Sequence, residues 1–149
     1  MRKAGVEDLN SINRVIKLCL SNRPVSDRIK KLTLSSLLLE PTDLDYMAIW
    51  VLGDPVTGVL GLQEIDEGML LHSMYVDPSK RNQGVGSELF RLARQLTAKS
   101  NTDRLIVKAF SESIGFFEKI GFIPSNILNY PHTLEHRLSL LTCYSGGET

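Results

Sequence analysis

The residues best placed to do chemistry are Arg81-Asn82-Gln83-Gly84-Val85-Gly86-Ser87, between an apolar run ending in Met74-Tyr75-Val76 and a stretch of helical period. Glycines at 84 and 86 let the backbone approach a ligand closely. The free amides of a helix start then point at that ligand with the positive end of the helix dipole. The chemistry on offer is phosphate binding. A plain strand-to-helix turn uses the same glycines, so the pair alone does not decide. Two familiar phosphate loops are excluded by residue: a dinucleotide fingerprint needs a small residue where Leu89 stands, and the Gly-Lys-Ser/Thr of a P-loop is missing.

His72 stands two residues before Met74. An imidazole is the side chain whose ordinary pKa, about 6.5, suits proton transfer near neutrality. Strand alternation puts His72, Met74 and Val76 on one face, where a core-packed histidine would also sit. Glu64 and Glu67 are the alternative bases, acting through water. Phe116-Phe117-Glu118-Lys119-Ile120-Gly121-Phe122 is an aromatic helix end stopped by Gly121. Cys19 and Cys143 form no C-x-x-C pair and suit two reduced thiols, so neither a metal site nor a disulfide framework is expected.

The elements that must position these groups follow from periodicity. Leu9, Ile12, Val15, Ile16, Cys19 and Leu20 make one helical stripe over 6–20. Ser26 is a plausible N-cap for a second helix with Ile29, Leu32 and Leu37 to Leu39 on its apolar side, closed by Pro41. Strand-like runs follow at 46–52, 59–65 and 69–76, joined so tightly that they must be antiparallel neighbours. Helical period returns from Val85 to about residue 100. A strand at 105–110, a short helix at about 112–120 and a last strand at 138–144 complete the expectation.

With 149 residues, 42% of them apolar, one domain with a sizeable core is expected over the whole length 1–149. Seventeen basic against seventeen acidic residues disfavour a protein built to neutralise nucleic-acid phosphates or an anionic membrane. No apolar run approaches the roughly 20 residues of a membrane helix, and no signal-peptide core follows Met1, so a cytoplasmic location is expected. The charge is nevertheless split: residues 37–70 hold seven acids and no Lys or Arg, while 79–108 hold seven bases against two acids. Such a split suits an anionic ligand on one side and a cationic one on the other.

Two spaced motifs carry a family resemblance. Arg81-Asn82-Gln83-Gly84-Val85-Gly86 after Met74-Tyr75-Val76, and Phe116-Phe117-Glu118-Lys119-Ile120-Gly121-Phe122 one helix and one strand later, resemble the two signatures of the GCN5-related N-acetyltransferase (GNAT) family. Arg2 to Leu9 and Gly58-Val59-Leu60-Gly61 are similar to its first elements and third strand, so the resemblance covers residues 1 to about 124. It implies an α+β fold with a mixed, mostly antiparallel sheet flanked by helices and splayed between the fourth and fifth strands. It also implies acetyl-CoA as co-substrate. The backbone of Met74, Tyr75 and Val76 would pair with the pantetheine arm as an added strand. The amides of Gln83 to Ser87 would hold the diphosphate beside Arg81 and Asn82, with Phe116 and Phe117 as the wall near the thioester.

By the same resemblance His72 matches a strand histidine that serotonin N-acetyltransferases use as base, and a Met74 or Val76 amide would hold the oxyanion. The family's second motif often carries a tyrosine that protonates the leaving thiolate. Here that position is Phe117, which donates no proton; Ser111, Ser113, Tyr130 and Tyr144 are the possible substitutes. The implied activity is direct acetyl transfer to a small-molecule primary amine. A non-catalytic acetyl-CoA-binding regulator and a peptide or protein N-acetyltransferase stay open beside it. The Phe-Phe pair, similar to that of small amino-acid and arsenic-resistance-type acetyltransferases, points to an amino-acid-like acceptor. The acidic 37–70 stretch favours a cationic amine, whereas His132, His136 and Arg137 favour a carboxylate. A tail strand at a sheet edge would invite a homodimer.

Overall fold

A computed structural model describes residues 1–128 and 133–137. Its contacts fall into two compact units, Met1–Gly61 with Ser73–Leu89, and Leu62–His72 with the chain from Phe90 onward.

The first unit opens with β1 (Arg2–Lys3), a single turn, and α1 (Leu9–Ser21). The predicted stripe is buried except for the half-buried Cys19, with Ile12, Val15 and Ile16 fully enclosed. Arg2 braces the start of the helix: its guanidinium donates to both Asp8 oxygens at 2.9 and 2.8 Å, and the Gly5 amide donates to Asp8 Oδ2 at 2.9 Å. These donors hold the Asp8 carboxyl down at about 2, against the opposing effect of its burial. Next, α2 (Asp27–Leu37) begins where Ser26 accepts from the Ile29 amide at 3.3 Å, as the sequence predicts.

The apolar side expected of α2 turns out differently. None of its residues is buried, and Ile29 and Leu32 are 44% and 67% exposed. The helix stops at Leu37, four residues before Pro41, because Leu38 is already extended (ψ 140°). It is Leu39, just past the helix, that enters the core. Asn13 of α1 holds it there, donating to its carbonyl at 2.9 Å and accepting from its amide at 2.8 Å. Pro41 opens a short 3-10 turn instead of only closing a helix.

Then come β2 (Ala48–Leu52), β3 (Gly58–Ile65), β4 (Gly68–Val76) and α3 (Val85–Lys99). β3 and β4 are neighbours in the sheet joined by two residues, a link too short for anything but an antiparallel hairpin. A Cβ at Gly58 would stand 2.8 Å from Val85 Cγ1, so this glycine is what lets the first turn of α3 lie against β3.

The second unit holds the hairpin end of β3 and β4, most of α3, β5 (Arg104–Lys108), α4 (Ile114–Lys119), β6 (Ile123–Pro124) and β7 (Thr133–Arg137). β5 runs parallel to β4 from Met69↔Leu105 to Leu71↔Val107, and antiparallel to β7 over its whole length. Phe90, Phe117, Phe122 and His136 pack ring on ring at 5.3 to 5.7 Å. The strand order β1-β2-β3-β4-β5-β7-β6 gives a mixed, mostly antiparallel sheet, the α+β architecture expected. β6 and β7 escape a reading by period, because Thr133-Leu134-Glu135-His136-Arg137 has no apolar alternation to mark it. The last strand expected at 138–144 lies outside the described residues.

Candidate functional site

β4 sets the pattern from which the site is built. Ser73 and Tyr75 are buried, whereas His72 is exposed and Met74 and Val76 are half-buried, so the alternation read from the sequence separates the two faces. Burial pushes the Tyr75 hydroxyl up to about 12, with the nearby Cys19 thiol adding to the effect. Cys19 donates to the Val76 carbonyl at 3.1 Å. Burial pushes its thiol up to about 11, although that hydrogen bond and the charge of Arg81 pull the other way. A thiol so held is inert as a nucleophile.

Past Val76 the chain is locked before it reaches the glycines. The Asp77 amide donates to the Thr57 carbonyl at 2.7 Å, and its carboxylate accepts from the Ser79 amide at 2.9 Å and the Ser79 hydroxyl at 2.8 Å. These two donors hold the Asp77 carboxyl below its ordinary value. Pro78 opens a single 3-10 turn to Lys80, after which Arg81 is extended. Asn82 (φ +62°) and Gly84 (φ +82°) then take left-handed conformations. Asn tolerates that region and Gly is at home in it. A Cβ at Gly84 would meet no atom within 4 Å, so the glycine answers to φ and leaves the backbone bare toward solvent.

The hydrogen-bond ladder of α3 takes hold where the Glu88 amide donates to the Gly84 carbonyl at 3.0 Å. The amides of Val85, Gly86 and Ser87 come before it and have no partner within the helix. Arg81 to Gly84 and Ser87 are exposed, Val85 and Gly86 half-buried, and Lys80 stands exposed beside them. Left-handed turns that feed the start of a fifteen-residue helix, flanked by two cations, form a backbone nest for an anion. The residues present therefore fit a diphosphate. Period and motif find this loop. Asp77 and Gly58, which hold it from behind, carry no signal that reading by motif would pick out.

In the second unit Phe117 is buried, edge-on to Phe116 at 5.3 Å and to Phe122 at 5.3 Å, while Phe116 is 43% exposed. Glu64 is exposed at the hairpin end and lines an open cavity of about 370 Å³ with Asp66 and Lys99. His136 is packed between Phe90 and Phe122 with Nδ1 3.2 Å from the Gly121 carbonyl, and burial lowers its pKa. Ser111 is exposed and Ser113 half-buried. Tyr130, His132 and Tyr144 lie outside the described residues. Among the described residues no group of three His, Cys, Asp or Glu could hold a metal ion. No helix among them is long and apolar enough to cross a membrane.

No curated protein matches the chain. In fold it is similar to the PaiA N-acetyltransferase of Thermoplasma acidophilum, solved in complex with coenzyme A, at TM-score 0.78 and 16% identity over 91% of this chain and 96% of that one. It is also similar to Tetrahymena GCN5, at TM-score 0.66 and 17% identity over 89% and 88% of the two chains. A GNAT family acetyltransferase from Brucella melitensis in complex with acetyl-CoA matches at TM-score 0.66 and 14% identity over 93% and 86%. The acetyltransferase (GNAT) domain family matches residues 45–124, which contain β4, the nest, α3 and both aromatic positions: the chain belongs to the GNAT acetyltransferase family.

Proposed function

We propose that this protein moves the acetyl group of acetyl-CoA directly onto a primary amine of a small molecule. The observation that carries the reading is the loop at 81–87, whose left-handed residues lead into helix-start amides that no carbonyl of the helix occupies, the donors a diphosphate needs. Coenzyme A and acetyl-CoA in the structures of two similar proteins support the same co-substrate.

In this reading the backbone of Met74, Tyr75 and Val76 receives the pantetheine as an added strand. The amides of Gln83 to Ser87 hold the diphosphate, Asn82 shapes their turn, and Arg81 supplies charge. Phe116, the exposed ring of its pair, is the one offered to the pantetheine, and Phe117 packs behind it. The acceptor must lose a proton, because an ammonium has no lone pair with which to attack the thioester carbonyl. His72, exposed on the face shared with Met74, takes that proton. The nitrogen then bonds to the carbonyl carbon, and a Met74 or Val76 amide holds the oxyanion. The nitrogen gives up its second proton to solvent, the C–S bond breaks and the amide product forms. Phe117 carries no hydroxyl, so the departing thiolate takes its proton from solvent. Glu64, at the hairpin end, enters only through water on the acceptor side.

Release of free coenzyme A thiol, followed over a panel of free amino acids, polyamines and peptides, tests the reading. Turnover on small amines and none on peptides is expected. Turnover on peptides alone would move the activity to peptide or protein acetylation. One observation favours a second reading: the motif position that often bears an acid is a buried phenylalanine, Phe117, which suits a non-catalytic acetyl-CoA-binding regulator. Tight acetyl-CoA binding with no thiol release on any amine would establish that alternative.

A further inference from the structure

A carboxylate just ahead of a nest built for a diphosphate repels the ligand, unless the fold turns it away and makes use of it. Asp77 is in that place, and it is 9% exposed. Each contact it makes runs to the protein behind the loop. Its Oδ1 accepts from the Ser79 amide and hydroxyl at 2.9 and 2.8 Å, and its Oδ2 stands 3.7 Å from Arg14 of α1. The Asp77 amide donates to Thr57 at 2.7 Å, and the Lys80 amide donates to the Asp77 carbonyl at 2.8 Å. Arg14 also donates to the Val56 carbonyl at 3.0 Å, which ties the same guanidinium to the loop that receives the Asp77 amide.

Three parts of the first unit therefore close on one residue: α1 through Arg14, the 53–57 loop through Thr57, and the Pro78–Lys80 turn through Ser79. Beyond that turn the chain needs two left-handed residues to reach α3. Of the two, Asn82 is not a glycine, and a non-glycine residue keeps such a conformation only where its surroundings support it. The α3 ladder fixes the far end at Glu88, and Asp77 fixes the near end.

We propose that Asp77, braced by Arg14, is the positioning residue of the diphosphate nest: it touches no cofactor atom and sets the turn that aims Arg81 and the α3 amides. The assignment rests on the reading of residues 81–87 as that nest. It assigns Arg14 the task of neutralising the carboxylate, so that the nest keeps its positive field.

The dissociation constants of coenzyme A and of pantetheine, which lacks the diphosphate, test this in the wild type, Arg81→Ala, Asp77→Ala and Asp77→Asn. Asp77→Ala is expected to weaken coenzyme A about tenfold, the size of a lost hydrogen bond to a charged group, and to leave pantetheine unchanged. Asp77→Asn keeps an oxygen for Ser79 and is expected to recover most of that loss. Equal weakening of both ligands would mean that Asp77 only supports the fold, and an unchanged coenzyme A affinity would mean that it positions nothing; either overturns the proposal. Arg81→Ala with no effect on coenzyme A would instead overturn the nest itself, a failure visible without any Asp77 variant. If Asp77→Ala does not fold, Ser79→Ala decides by the same comparison, with a loss confined to coenzyme A expected.

Discussion

His72 shows how far a single residue can be read. Its type names a proton acceptor and its register names a face, and it is exposed on that face with Met74 and Val76 half-buried beside it. If it is the base, His72→Gln lowers kcat/KM by about 10²- to 10⁴-fold and removes the acidic limb of the pH–rate profile, with acetyl-CoA affinity intact. An unchanged profile would assign the proton to another group. Asp8 supports a prediction of a different kind. Hydrogen bonds from Arg2 and the Gly5 amide hold its carboxyl at about 2 against an ordinary value of 3.8. A folded pKa below the unfolded one gives stability that is present above about 3.8 and lost as pH falls toward 2. In acid titrations followed by circular dichroism, Asp8→Asn should be the less stable protein at neutral pH, and the difference from wild type should shrink through that window. A constant difference would mean that the Arg2 pair contributes nothing through ionisation.

Elements with a strong period were legible and those without one were not. The stripe of α1, the three runs that become β2, β3 and β4, and the Val85 helix all fold where their spacing puts them, because one face of each must leave water. The loop at 81–87 was legible for another reason, since Gly84 marks the left-handed turn that leads into α3. β6 and β7 were not, because their pairing with each other and with β5 is written in distant partners, such as Ile106↔Glu135, and not in local alternation. α2 misled in the same way: its leucines fit a buried stripe, but the core takes Leu39 after the helix has ended. The contrast is measurable. Leu39→Ala should cost about 2–5 kcal/mol in urea unfolding, and Leu32→Ala, on the exposed helix, within about 0.5 kcal/mol. Equal costs would put α2 in the core after all.

For the whole molecule, the formal charge of zero hides a basic stretch around the nest and an acidic one before it, so composition alone said less than position. The fold recurs in proteins only 14 to 17% identical in sequence. That is expected where burial pattern and a backbone nest, more than particular side chains, define an architecture. The central claim is that this chain binds acetyl-CoA through that nest. The melting temperature with and without acetyl-CoA, at about a hundredfold excess over its dissociation constant, tests it most directly. Linkage gives about 2.7 kcal/mol, which at this size is a rise of about 5–11 °C, and Arg81→Ala should shrink the rise at the same ligand concentration. No rise at millimolar acetyl-CoA, or a rise that Arg81→Ala leaves whole, would contradict it.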